Sequence, residues 1–291
     1  MPALPKPETN RSERSSMMIS CFLAGILLAM FTLICYGLWS RVKEEVTQEE
    51  DYRFSPERIY ITELPDWVPT TLVHDVLTNA PLKDRQSVIT PNLLSDLASA
   101  FSAHPWVDEV VRVKMEYPAT IHVDLKYREA VCVVKLPENA SSATETADQF
   151  YPVDGKGTYL PTDYFLQHPD SLNRFIVIEN VKSLPIRAVG HRWGDPAVEQ
   201  GAEIASLLRD VNHLLRIETV RPEKIVAHRS LRIVYRLRTS GKTEIDWGEH
   251  ADETSERAKL KTLLDMARSY GTLDHVPASE KPIDLSKTSA E

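Results

Sequence analysis

The stretch 111–127, VRVKMEYPATIHVDLKY, decides how the middle of this chain folds. On both sides of Tyr117-Pro118, apolar and polar residues alternate one by one, which is the period of a strand with one buried face. The apolar positions are Val111, Val113, Met115, Ile121, Val123, Leu125 and Tyr127. The pattern predicts a β-hairpin whose apolar face is covered by other elements of the fold.

Two amphipathic helices upstream are predicted to provide that cover. The first follows Pro69; the second begins at Thr90-Pro91 and ends at His104-Pro105. Their apolar stripes are Leu72, Val73, Val76 and Leu77 in the first, and Leu94, Leu97, Ala98 and Phe101 in the second. With a short strand at 59–61, residues 57–128 are predicted to form a β-α-α-β-β module.

Nearer the N-terminus, residues 17–39 (MMISCFLAGILLAMFTLICYGLW) form a continuous apolar run of 23 residues. As a helix the run is about 34 Å long, which is enough to cross a bilayer core of about 30 Å. It exceeds the usual length of a signal peptide, and no small-x-small cleavage site follows it. The sequence therefore predicts a transmembrane anchor.

The two sides of this anchor differ greatly in length, because 16 residues precede it and about 250 follow it. Three basic residues precede the anchor and two follow it, which mildly favours a cytoplasmic N-terminus. We expect a cytoplasmic tail at 1–16, a charged linker at 40–56, and a bulk that lies outside the cytoplasmic membrane.

Composition argues against several classes of function. The net charge of -8 disfavours nucleic-acid binding, which needs a basic surface. Of the three cysteines, Cys21 and Cys35 lie in the anchor, so Cys132 has no partner for a disulfide and is expected to be a buried apolar residue. The nine histidines show no zinc-binding spacing, and no nucleotide-binding or hydrolase motif occurs. We expect no enzyme activity, metal, cofactor or small-molecule substrate.

A second module, β-rich and of the α+β class, is predicted over 129–285, with a tail at 286–291. Its predicted elements are a strand at Val131–Leu136, a turn at Asp154-Gly155, a helix after Asp195-Pro196, three strands between 225 and 247, and a helix from Thr254-Ser255 to Gly271. The Ser/Thr/Ala-rich segment Pro137–Gln149 is predicted to be a long loop.

Several short motifs in this order resemble the FtsQ/DivIB family of bacterial cell-division proteins. They are His104-Pro105-Trp106-Val107, Tyr117–Val123, Arg128-Glu129-Ala130, Phe150–Gly157, Ile245–Gly248, Lys259-Leu260 with Leu263-Leu264, and Ile283-Asp284-Leu285. In that family the last motif continues through Arg-Tyr into an edge strand that pairs with a coiled-coil partner. Here Ser286–Glu291 follows instead, so we expect that edge to be missing or supplied by another strand.

The resemblance implies a POTRA domain at 57–128 and a family-type β domain at 129–285. It also implies a non-catalytic, single-pass scaffold at the division septum, which binds small coiled-coil proteins of the FtsB/DivIC and FtsL type. Residues implied in partner binding are Trp247, Gly248, Ile283, Asp284 and Leu285. Two alternatives stay open: a POTRA protein of outer-membrane assembly or secretion, and a membrane-anchored cell-wall hydrolase.

Three local features have both a functional and a simpler structural interpretation. The segment His191–Gly194 precedes a helix N-terminus and could attract an anion, but a loop held by a buried tryptophan is the favoured interpretation. Asp154 could be a lone catalytic acid, but a turn role is favoured. The basic run Arg229, Arg232, Arg236 and Arg238 predicts a solvated strand face, with a patch for acidic partners or lipid headgroups as the alternative.

Overall fold

The computed structural model describes residues 11–48, 55–80, 92–137, 150–227, 230–277 and 282–286. Over these ranges the chain is a mixed α+β protein, in which one long apolar helix is followed by a three-stranded and then a seven-stranded sheet. The predicted α+β class is thus confirmed. The predicted helix start at Thr90-Pro91 and all but the first residue of the predicted loop 137–149 lie outside the described residues.

The apolar run lies within helix α1, which spans Arg11–Gln48 and is therefore longer than the predicted anchor. Its segment Leu23–Arg41 has a mean hydropathy of 1.9, and none of that segment is buried against the rest of the chain. The first part of the predicted linker 40–56 is helical rather than irregular. The reason is that residues 40–48 contain no glycine or proline and include Lys43, Glu44 and Glu45, which are good helix formers.

The N-terminal module (residues 57–128) has the predicted order β-α-α-β-β. Its elements are β1 (Ile59–Ile61), α2 (Leu72–Asn79), α3 (Leu93–Ser102), β2 (Val107–Glu116) and β3 (Thr120–Tyr127). The sheet order is β1-β3-β2, with β1 parallel and β2 antiparallel to β3. Helix α2 begins three residues after Pro69, because 69–71 form a turn in which Leu72 N donates to Pro69 O.

The two helices cover one face of this sheet, as the sequence predicts. Leu97 and Phe101 of α3 share a buried cluster with Ile121 and Val123 of β3, and all four are at most 1% exposed. Burial of side chains of this size contributes roughly 1.5–3 kcal/mol each. The hairpin is therefore anchored mainly through β3.

Strand β2 departs from the predicted alternation at Val111 and at Met115, which is 40% exposed although it was predicted to face the core. Val110 pairs with Leu125 and Arg112 pairs with Asp124, which leaves Val111 as an extra residue in a bulge. Val111 is consequently 63% exposed instead of buried. A single inserted residue turns its side chain away from the core without disturbing the pairing further along the strand.

The C-terminal module (residues 129–286) is built on a sheet of order β10-β9-β8-β7-β6-β4-β5. Its strands are β4 (Cys132–Lys135), β5 (Phe150–Val153), β6 (Ile176–Ile178), β7 (Ile217–Ala227), β8 (Ser230–Thr239), β9 (Glu244–Glu249) and β10 (Ile283–Asp284). Its helices are α4 (Asp163–Gln167), α5 (Pro196–Arg209), α6 (Asn212–Leu215) and α7 (Glu253–Tyr270). Three neighbouring pairs are parallel, namely β4 with β6, β6 with β7, and β9 with β10.

Helices α5 and α7 provide apolar side chains that share one buried cluster with residues of this sheet. The Asp195 side chain caps α5 by accepting a hydrogen bond from Ala197 N, and Pro196 occupies the first turn, as predicted. Helix α7 begins at Glu253, one residue before the predicted start, because Asp252 is its N-cap and accepts from Thr254 N. Tyr235 and Trp247 of the sheet are fully buried in this core.

Side chains from both sides of the predicted boundary at 128/129 pack together. Leu160 and Phe165, which belong to the C-terminal module by sequence, are buried in the hydrophobic cluster of the N-terminal module. Gly190 lies against Pro105 so closely that a Cβ atom there would be 2.9 Å from Pro105 Cα. The two modules therefore share an interface with apolar packing.

A charged contact joins the same two modules. The Arg128 guanidinium lies 3.0 Å from Asp108 and 2.8 Å from Asp154, and all three side chains are largely buried. Lys156 donates to Asp108 as well, at 2.9 Å. Burial opposes ionisation of Asp108, but the hydrogen bond from Lys156 and the charge of Arg128 together lower its pKa.

Candidate partner-binding edge of the C-terminal sheet

Strand β10 lies at one end of the seven-stranded sheet. It pairs in parallel with β9, with Ile283 opposite Ile245 and Asp284 opposite Asp246, and Leu285 N continues the pairing by donating to Asp246 O at 2.8 Å. The motif Ile283-Asp284-Leu285 is thus an edge strand of this sheet. An edge strand is the part of a sheet to which a further strand can add.

The five residues that sequence reasoning assigned to partner binding all lie at this edge, but most of them face inward. Trp247, Ile283 and Leu285 are at most 1% exposed, and Gly248 is also buried. Asp284 is the one exposed residue among the five. Four of them therefore stabilise the edge rather than offer side chains to a partner, and their part in binding stays a prediction.

Gly248 has a specific structural task at the end of β9. Its φ is +79°, and a Cβ atom there would be 2.8 Å from Ser286 Cα. A left-handed backbone and so close an approach both require glycine. Ser286 is held in turn by Asp284, whose Oδ1 accepts from Ser286 N at 2.9 Å.

A buried polar network lies behind this edge and was not predicted from the sequence. Trp247 Nε1 and Lys259 Nζ both donate to the Glu256 carboxylate, at 2.6 and 2.8 Å. Lys259 Nζ also donates to Glu249 O at 2.7 Å, which fixes the end of β9 to α7. Burial alone raises the pKa of Glu256, but the contacts from His250, Lys259 and Trp247 outweigh it and lower the pKa to about 2.

His250 extends this network to helix α5. Its Nε2 lies 2.8 Å from Glu203 Oε2, and its Nδ1 lies 3.6 Å from Glu256 Oε2. The Glu256 carboxylate, followed by Glu203, raises the pKa of His250 in spite of its burial. When His250 is protonated, it can therefore pair with a carboxylate of α5 and with a carboxylate of α7.

The face of the seven-stranded sheet that points away from the core with α5 and α7 carries a ladder of ion pairs. Arg232 lies 2.9 Å from Glu249 and Arg236 lies 3.2 Å from Glu223. Arg238 is 3.7 Å from Glu179. The described arginines of the basic run are thus compensated by nearby glutamates, which agrees with the solvated strand face that the sequence favours. Arg229 lies outside the described residues.

A shallow groove of about 800 Å³ lies beside this ladder. Its apolar floor includes Leu172, Phe175 and Val177, and Arg174, Arg216 and Glu218 are among the charged residues along it. A mixed apolar and charged lining is typical of surfaces that bind other proteins. The groove is a second surface that a partner could contact.

The other sequence candidates each have a structural role. Trp193 is fully buried and donates from Nε1 to Ser183 O at 3.2 Å, so the segment 191–194 is a loop held by a tryptophan. Asp154 accepts from Lys156 N and Thr158 N within its turn, and sequence reasoning missed its contact with Arg128. Cys132 is fully buried, and burial together with Asp154 raises the pKa of its thiol.

Within the described parts of the chain, no group of three or more His, Cys, Asp or Glu side chains could hold a metal ion. In the same residues, one helix is long and apolar enough to cross a membrane, through Leu23–Arg41 near the N-terminus. No protein-family model matches this chain, and no curated protein matches it either. The proposal of a function below therefore rests on the structure and on the sequence pattern.

Proposed function

We propose that this protein is a non-catalytic, membrane-anchored scaffold of the bacterial cell-division machinery that resembles the FtsQ/DivIB family. The observation that carries the proposal is the order of parts along one chain. An apolar helix comes first, a β-α-α-β-β module follows, and a larger sheet then ends in an edge strand made from the motif Ile283-Asp284-Leu285.

The proposal treats the N-terminal module as a POTRA domain. Two supports for this are the parallel pairing of β1 with β3 and the two helices that share a core with one face of the sheet. We further propose that residues 17–39 cross the cytoplasmic membrane with the N-terminus inside. Three basic residues lie just before this span and two lie just after it, which favours this orientation.

In this proposal, partners bind by adding a strand to the β10 edge. Backbone hydrogen bonds provide affinity in such an arrangement, and side chains at alternate positions provide specificity. The partners we propose are small coiled-coil division proteins of the FtsB/DivIC and FtsL type. Each contact can be weak, because confinement to one membrane raises the effective concentration of the partners.

A site-specific cross-linker placed in the edge strand tests this proposal. Replacing Asp284 by the photoreactive residue p-benzoylphenylalanine places the probe on an exposed position of β10. The matched control carries the same residue at Lys261, an exposed position on the outer face of α7. We expect cells carrying the probe at 284 to yield a covalent adduct with a small single-pass division protein, and cells carrying it at 261 to yield none.

Equal adducts from both positions would contradict edge binding. Absence of any adduct from 284, together with absence of septal enrichment of the protein, would contradict the scaffold proposal itself. Septal enrichment without an adduct from 284 would retain the scaffold and move the binding surface elsewhere, with the groove beside Val177 as the next position to probe.

A further inference from the structure

A cavity of about 640 Å³ lies between the two modules, on the side where Arg128 joins them. Its charged lining consists of Asp108, Arg128, Lys156, Arg187 and Arg192, and His191 lies beside them. Pockets for ordinary drug-like ligands are lined mostly by apolar side chains. This one is dominated by cations, so it suits a strongly polar ligand.

The cations of this lining outnumber the carboxylates that reach them. The lining contains four cationic side chains and one carboxylate, Asp108, and two further carboxylates, Asp154 and Glu199, pair with Arg128 and Arg192 from outside the lining. Arg128 and Lys156 are held by Asp108, as described above. The positive charge that these carboxylates do not compensate lies on the wall formed by residues 186–194.

That wall carries Arg187 and Arg192, which are available to a ligand. Arg187 is exposed and has no hydrogen bond or ion pair within the described part of the chain. Arg192 is 61% exposed at its side chain and has one ion pair, 3.3 Å from Glu199. Arginine side chains of this kind bind carboxylates and phosphates through paired hydrogen bonds.

The loop that carries both arginines is held in a fixed shape. Its backbone is tied at both ends, because Trp193 N donates to Gly157 O at 2.9 Å and Ile186 N donates to Trp193 O at 3.0 Å. Trp193 is buried, and Gly190 is in contact with Pro105 of the N-terminal module. Little ordering is therefore needed when a ligand binds, which favours affinity.

We propose that this cavity is a binding site for an anionic ligand that carries phosphate or carboxylate groups. Arg187 and Arg192 contact the ligand directly, and Lys156 adds positive charge at the rim. The site lies at the junction of the modules, away from the β10 edge, so it does not depend on the proposed division partners. Phosphate and carboxylate groups both occur on soluble and envelope-bound molecules, and two probes distinguish the chemistries.

Isothermal titration calorimetry of the full chain in detergent micelles tests the site with pyrophosphate and with citrate at constant ionic strength. We expect saturable binding of at least one probe with a dissociation constant below about 1 mM. Arg187→Ala should weaken that binding at least about tenfold, because it removes charge-assisted hydrogen bonds from an otherwise folded surface. A preference for pyrophosphate assigns a phosphate ligand, and a preference for citrate assigns a carboxylate ligand.

Arg257→Ala is the matched control, because Arg257 is an exposed arginine on α7 with an ion pair to Glu253. It should bind the probes as the wild type does. Failure of both probes to bind up to about 10 mM would overturn the proposal. Equal affinity of wild type and Arg187→Ala would also overturn it, as would an equal loss in both arginine variants, which indicates a general charge effect.

Discussion

Replacing Glu256 by glutamine tests the buried network behind the β10 edge. The change removes the negative charge of the carboxylate that accepts hydrogen bonds from Lys259 and Trp247, and Lys259 stays only 3% exposed. Breaking a buried ion pair on one side leaves an uncompensated charge and costs about 3–5 kcal/mol. The pKa of Glu256 gives a consistent figure, because its fall from 4.5 to about 2 corresponds to about 3 kcal/mol.

Urea unfolding of the full chain in micelles, followed by tryptophan fluorescence, measures this free energy. We expect Glu256→Gln to lower the free energy of unfolding by about 3 kcal/mol or more at pH 7. Glu253→Gln is the control, because Glu253 lies on the same helix with its side chain 77% exposed, and its change should stay within about 0.5 kcal/mol. Equal effects of the two variants would refute the argument that the buried carboxylate stabilises this edge.

The pH dependence of the same variant has a definite sign. The pKa of Glu256 is lower in the folded than in the unfolded chain, so its contribution is present above pH 4.5 and is lost as the pH falls towards 2. The difference between wild type and Glu256→Gln should therefore shrink over that window. A difference that stays constant from pH 6 to pH 3 would show that the carboxylate charge is not the cause.

Further predictions concern the junction and the histidine. Arg128→Met should lower the free energy of unfolding by about 3 kcal/mol, because it leaves two largely buried aspartates without their arginine partner. Arg112→Met is the control in the same urea assay and should cost less than about 1 kcal/mol, because the ion pair of Arg112 is exposed. His250→Gln should destabilise the fold most below about pH 6.5. The pKa of His250 is higher in the folded than in the unfolded chain, so its stabilising contribution is lost as the pH rises through the folded-state pKa. Melting temperatures of wild type and variant at pH 5.5 and at pH 8.5 test this. Gly190→Ala should lower the free energy of unfolding by at least about 1 kcal/mol more than Gly271→Ala. Both glycines have positive φ, but only at Gly190 would the added Cβ atom clash, with Pro105. Equal melting temperatures of the two variants would contradict tight packing between the modules.

Local patterns predicted the elements of this fold well, because each depends on residues close in sequence. The alternation around Tyr117-Pro118 gave the hairpin, and Asp195-Pro196 gave the start of α5. The bulge at Val111 was missed because an inserted residue leaves the polar and apolar alternation of the sequence unchanged. Only the pairing partner reveals it.

Features that join distant residues were missed for a related reason. The contact of Arg128 with Asp154 and the burial of Phe165 in the N-terminal module follow from the docking of the two modules, which no local period reports. The network of Trp247, Glu256 and Lys259 likewise depends on how α7 packs on β9. The edge motif was placed correctly on a strand, but its burial follows from that packing.

We propose that this protein is a scaffold that division requires and that acts at the septum. The most direct test of this proposal is controlled depletion of the chain in its host, with cell length measured while a fluorescent N-terminal fusion restores the protein. We expect depleted cells to grow into filaments without septa, and the restored fusion to collect at midcell before constriction. Normal division during depletion, with the fusion spread evenly over the membrane, would contradict it.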